Sequence, residues 1–127
     1  MQEKFTLAWD PGRPVLQEVL GSGVWAQDED DAYLALLAEL LQRPPAGGFD
    51  VLSDARGFTM QIESSSDDDS YDMLAVAGCR RFIQIVSSTA VGLQTARMIR
   101  SSPQGNRLVF CVCTTVEEAE ALLAQPG

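Results

Sequence analysis

Apolar residues alternate with polar or small ones at the start of the chain: Phe5, Leu7 and Trp9 are interleaved with Lys4, Thr6 and Ala8. Val15 to Leu20 forms a second extended run, and Asp10-Pro11-Gly12-Arg13 between them carries the Pro-Gly signal of a turn. This pattern predicts an opening β-hairpin. After Gly21-Ser22-Gly23, an acidic cluster at Asp28-Glu29-Asp30-Asp31 leads into Tyr33, Leu34, Leu36, Leu37, Leu40 and Leu41. That spacing predicts a helix with carboxylates at its electropositive amino end, stopped by Pro44-Pro45. Its apolar surface is wider than one amphipathic stripe requires.

A short strand is predicted over Phe49 to Ser53, entered from a Pro/Gly loop. A second helix, closed by Gly78, is expected beyond Ser64-Ser65-Ser66-Asp67-Asp68-Asp69 on the apolar positions Tyr71, Met73, Leu74, Val76 and Ala77. Arg81 to Val86, rich in Ile, Val and Phe, reads as a strand buried on both faces. Ser87-Ser88-Thr89 caps a third helix running to about Arg100, and Leu108 to Val112 is the last strand. Thr115-Val116-Glu117-Glu118 has capping-box spacing ahead of a final helix over Ala119 to Leu123. The fold class is therefore α/β: a mixed sheet in one domain spanning residues 1–127, with an N-terminal β-hairpin followed by α-β-α-β-α-β-α. Right-handed crossovers place the helices on the faces of the sheet, and the hairpin supplies an antiparallel edge.

Composition narrows the chemistry. Nine Lys plus Arg against eighteen Asp plus Glu give a net charge of -9, which disfavours nucleic acid and anionic membrane surfaces as partners. No apolar run approaches the roughly 20 residues of a membrane span. Three cysteines and no apolar leader in the opening segment point to a reduced, cytoplasmic protein. The chain has no histidine, which removes Ser-His-Asp and Cys-His catalysis and the usual zinc sets. With no paired catalytic carboxylates and no phosphate loop, the reading is non-enzymatic, without cofactor or metal.

The element order, with Phe5-Thr-Leu-Ala-Trp-Asp10, Phe49-Asp-Val-Leu-Ser-Asp-Ala-Arg-Gly-Phe58 and Thr89-Ala-Val-Gly-Leu-Gln-Thr-Ala-Arg97, resembles the SpoIIAA-like branch of the STAS-domain superfamily. The resemblance covers nearly the whole chain. It implies a cytoplasmic interaction module of bacterial signalling, working through protein-protein contacts and, in the antagonists of anti-sigma factors, switched by phosphorylation of a serine at a helix amino terminus. Asp54-Ala55-Arg56-Gly57 matches the family's Asp-x-Ser-Gly turn with Arg56 in place of serine, and Glu63-Ser64-Ser65-Ser66 falls near the phosphosite with one extra residue and no glycine. Ser64 and Ser65 are the candidate phosphorylation positions by this resemblance. Some relatives resemble lipid-binding SEC14-type domains, so a carrier of a lipid or other apolar molecule is the alternative function.

Each candidate has a structural reading beside the functional one. The Ser64 to Asp69 cluster can simply cap its helix, and as a calcium loop it lacks the spaced acceptors, central glycine and terminal glutamate. Ser87, Ser88 and Thr89 lie where an open α/β sheet presents ligands, and with Arg56 they form a candidate anion or partner contact. Capping by the serines and an Arg56–Asp54 ion pair are the structural alternatives. Cys111 and Cys113 share one strand face, as small apolar residues of a core. Arg80-Arg81, Arg97 and Arg100 form the one basic concentration, able to face an acidic partner or a second copy's acidic helix, and explained equally well as solvated helix ends. Trp9 and Trp25, with the broad apolar face of the first helix, make a homodimer a candidate partner arrangement.

Overall fold

The computed structural model describes residues 5–21, 26–58 and 69–126. The chain runs through β1 (Phe5–Trp9), β2 (Val15–Leu20), α1 (Gln27–Leu40), β3 (Phe49–Asp54), α2 (Asp69–Ala77), β4 (Cys79–Ile85), α3 (Thr89–Ser101), β5 (Val109–Cys113) and α4 (Val116–Ala124), with a short 3-10 turn at Gly105–Arg107 before β5. The five strands form one mixed sheet in sequence order, β1-β2-β3-β4-β5. β1 pairs antiparallel with β2, and β2, β3, β4 and β5 run parallel.

This order has a topological consequence. Each right-handed crossover advances the chain one strand in the same direction, so successive crossover helices land on the same face. α1, α2 and α3 accordingly cover one side. Leu7, Leu16, Val51 and Phe82 of the sheet bury there against Leu37, Leu74 and Ile99. α4 covers the other side, where Ala119, Leu122 and Leu123 pack on Leu52, Ile83, Ile85, Cys111 and Cys113. The helices occupy both faces as expected from the sequence, but three to one. With no reversal of strand order, the sheet also lacks the switch-point crevice at which open α/β folds commonly present ligands.

Local signals explain the boundaries. The acidic first turn of α1 carries Asp28, Glu29 and Asp30, and the Glu29 carboxylate accepts the Ala26 backbone N–H at 2.8 Å. Gly78 closes α2 with φ of 107°, a left-handed conformation that a side chain would strain. At α3 the Ser88 hydroxyl accepts the Ala90 N–H, and at α4 the Thr115 hydroxyl accepts the Glu118 N–H at 3.1 Å. The Glu118 carboxylate accepts the Thr114 backbone N–H, one residue before the N-cap, together with the Thr114 and Thr115 hydroxyls.

β4 begins at Cys79, two residues before the sequence-based start, because Cys79 pairs with Phe49 of β3 ahead of a register shift, and Arg81 then aligns with Asp50. The Arg81 side chain pairs with buried Asp50 in the adjacent register position at 2.7 Å and donates to the Leu122 carbonyl of α4 at 2.9 Å. A strand position that reads as an exposed basic end is thus a pin between sheet and helix. Arg80 remains exposed, at 4.0 Å from the same carboxylate. Among the described residues no helix is long and apolar enough to cross a membrane.

Candidate functional site

Register brings three polar residues into one row. Glu18 of β2 aligns with Ser53 of β3, and Ser53 aligns with Gln84 of β4. The neighbouring row, two residues earlier in each strand, is apolar: Leu16, Val51, Phe82 and Phe110. Side chains repeat every two residues along a strand, so both rows face α1, α2 and α3. Glu18, Ser53 and Gln84 are all buried, at 4%, 0% and 3% exposure. A polar belt across the three central strands under a helical layer is unusual for a core, since each such group loses hydration and must find a partner inside.

Glu18 finds two. Tyr33 of α1 and Ser53 donate their hydroxyls to its two carboxylate oxygens. Burial nevertheless raises the carboxyl above the ordinary glutamate range, against the opposing pull of the two hydroxyls. The Tyr33 phenol is pushed well above its own ordinary value by burial and then by Glu18, and stays neutral. Its ring is fixed by an edge-to-face contact with Phe5 at 5.3 Å. The side chain of Gln84 is in a different position: its buried Oε1 has no hydrogen-bond partner among the described residues.

Glu18, Tyr33 and Gln84 border a cavity of about 120 Å³ between the sheet and the three helices. Glu18, Phe82 and Gln84 come from the sheet, Asp30, Tyr33 and Leu34 from α1, Ser70 and Tyr71 from α2, and Gln94, Thr95 and Met98 from α3; Leu20 and Phe58 are the other described residues of the wall. Tyr71 stands edge-on to Phe82 at 5.6 Å. The Thr95 hydroxyl donates to the Val91 carbonyl of its own helix at 3.1 Å, leaving its lone pairs toward other donors. The extra breadth of apolar surface on α1 is thereby accounted for in part, since Leu34 lines the cavity while Leu36, Leu37 and Leu40 pack in the core.

The positions singled out from the sequence lie elsewhere. Ser64 and Ser65 fall outside the described residues, as does Trp25. Arg56 turns its guanidinium onto Asp54 at 2.7 Å, and the Ser87 hydroxyl donates to the Arg56 backbone carbonyl at 2.9 Å. The structure therefore brings Arg56 and Ser87 together through the main chain, while Ser88 caps α3 and Thr89 opens its first turn, exposed. Trp9 packs inward, edge-on to Phe49 at 5.1 Å, and donates its indole N–H to the Leu40 carbonyl. Cys111 and Cys113 sit on the α4 face, and burial raises the Cys113 thiol; the Cys79 thiol is pushed up to about 12 by burial. Such thiols are protonated and unreactive at neutral pH. Arg97 and Arg100 are exposed on α3.

The polar belt did leave a trace in the sequence. Leu16-Gln17-Glu18, Val51-Leu52-Ser53 and Phe82-Ile83-Gln84 each place a polar residue two after an apolar one in an otherwise core-like strand. Read singly, each is an irregularity; only the pairing register makes them one feature. No family model, curated protein or solved structure matches the chain.

Proposed function

We propose that the chain is a small-ligand-binding domain whose site is the cavity under α1, α2 and α3. The observation that carries this reading is the buried Gln84 Oε1, an acceptor with no partner on the wall of a ring-sized cavity. An unmet buried acceptor costs about 1–3 kcal/mol, and a bound molecule that donates to it would remove that cost. Size agrees: a cavity of about 150 Å³ lined by apolar side chains holds benzene in an engineered protein, and this one is of similar scale. The mixture of aromatic walls with a few convergent polar groups is the usual makeup of a ligand site. This reading favours the carrier alternative in a polar form, with a small molecule in place of a lipid chain.

The test is native mass spectrometry of protein purified directly from its own cells, beside a Met98→Trp variant that fills the cavity. A discrete small adduct on the wild type, lost on gentle activation and lacking from the variant, supports the site. Bare masses for both, together with no response of the wild type to a panel of single-ring fragments, would overturn it.

A second reading, the protein-contact module of SpoIIAA-like type, is supported by apolar side chains left exposed on the α3 and β5 side. Leu93 is 65% exposed, and Val109 and Val112 of the uncharged edge strand β5 are more than half exposed. Replacing Val112 with Lys abolishes self-association or partner capture on this reading and leaves ligand retention intact. The SpoIIAA-like arrangement itself rests on the Asp54-Ala55-Arg56-Gly57 turn and the element order.

A further inference from the structure

The chemistry of the cavity wall narrows the ligand class, an inference that rests on the ligand-site reading above. The charged residues on the wall are Glu18 and Asp30, both acidic; none of the described lining residues is Lys or Arg. Glu18 is buried with two neutral hydroxyls as its partners, Tyr33 and Ser53, and no Lys or Arg among the described residues is in direct contact with it. Gln84 adds an unpartnered acceptor two strands away in the same register row. Aromatic rings from α1, α2 and β4 stand around this acceptor-rich floor: Tyr33, Tyr71 and Phe82.

We infer that the cavity selects a ring-sized organic ammonium, with its N–H groups directed to Gln84 Oε1 and the Glu18 carboxylate and its carbon skeleton held by Tyr33, Tyr71 and Phe82. An ammonium supplies a positive charge, which none of the described lining residues carries, and N–H donors for Gln84 Oε1 and the Glu18 carboxyl oxygens. Desolvated charge-assisted hydrogen bonds and the faces of aromatic rings both favour it over a neutral molecule of the same shape. A carboxylate of that shape meets two acidic side chains, Glu18 and Asp30, and no cationic one among the described lining residues. The overall charge of -9 further concentrates cations near the protein while repelling anions.

Three isosteric probes separate the possibilities: benzylammonium, benzyl alcohol and benzoate, titrated at pH 7 and physiological salt into isotopically labelled protein and followed by amide chemical shifts. Benzylammonium is expected to saturate with shifts at Glu18, Tyr33 and Gln84, about tenfold more tightly than benzyl alcohol, with benzoate giving no saturable change. Glu18→Gln and, independently, Gln84→Leu should each weaken benzylammonium about tenfold while moving benzyl alcohol by less than about threefold. Should either variant fold poorly, the other and the wild-type ranking still decide. Saturable binding of benzyl alcohol or benzoate equal to or tighter than benzylammonium would overturn the ammonium preference and leave the ligand site standing. Ammonium binding unchanged in both variants would show general charge attraction and overturn it as well. No saturable shift from any of the three, with the fold intact, would overturn both the preference and the ligand-site reading, leaving water as the partner of Gln84.

Discussion

Replacing Glu18 with Gln isolates the energetic cost of the polar belt. The carboxyl is buried and its pKa is raised by desolvation from the ordinary glutamate value of 4.5. Below 4.5 it is protonated in both folded and unfolded chains, and its ionisation takes nothing from native stability. As pH rises above that value, the unfolded chain releases its proton first while the folded chain retains it. Native protein then binds more protons than unfolded protein, so stability falls with rising pH until the folded carboxyl also ionises. One proton of difference corresponds to a slope approaching about 1.4 kcal/mol per pH unit across that window.

Glutamine has the shape of the protonated acid, accepts from one neighbouring hydroxyl and donates to the other, and does not titrate. Urea unfolding of both proteins from pH 4 to pH 8, followed by far-ultraviolet circular dichroism, should therefore give similar stabilities at pH 4. The variant should gain on the wild type as pH rises. Asp54, held below the usual carboxylate range by its hydrogen bond to Arg56, produces an opposite slope at acid pH, but in both proteins alike, and cancels in the difference. A difference that does not vary with pH would refute the reasoning, since it would mean that Glu18 ionises equally easily in the folded and unfolded chains.

Gln84→Leu removes an unmet acceptor and keeps the bulk, so the unliganded protein should gain about 1 kcal/mol in the same unfolding assay. Gly105→Ala should destabilise by about 1–3 kcal/mol, because an added Cβ would lie 2.8 Å from the Cβ atoms of Ser102 and Tyr71; thermal unfolding measures it. Asp50→Ala leaves the partly buried Arg81 guanidinium without its carboxylate partner and should cost about 1–3 kcal/mol, whereas the paired change Asp50→Leu with Arg81→Met recovers most of that loss. Thr115→Ala removes the cap of α4 and should cost about 1 kcal/mol, read from denaturant midpoints.

The elements were legible in the sequence because their signals are local. Pro11-Gly12 marks the hairpin turn, Gly78 the end of α2 and Ser88 and Thr115 the starts of α3 and α4, and each acts on its own few residues. The cavity was not legible, because Glu18, Ser53 and Gln84 are 35 and 31 residues apart along the chain and meet only through strand register. Arg56 and Ser87 to Thr89 are legible as a candidate contact because they sit at strand ends, where sheets whose strand order reverses present ligands. Here the order does not reverse, and a separate buried polar row lies under the helices. Arg81 misled for a related reason: its partner Asp50 is set by β3–β4 pairing, and nothing adjacent in the sequence announces it.

The consecutive strand order also bears on how the molecule assembles. Every strand after β1 docks on the one made just before it, so the sheet extends at a single growing edge, in the order in which the chain leaves the ribosome. Closures of this kind span only one crossover, which lowers the entropic barrier to pairing relative to a sheet that inserts a late strand between early ones. The exception is α4, which must return across β5 to cover Ile83 and Ile85. Until it does, that face presents an apolar surface to solvent, and the nascent chain is at its most aggregation-prone just before its last helix docks.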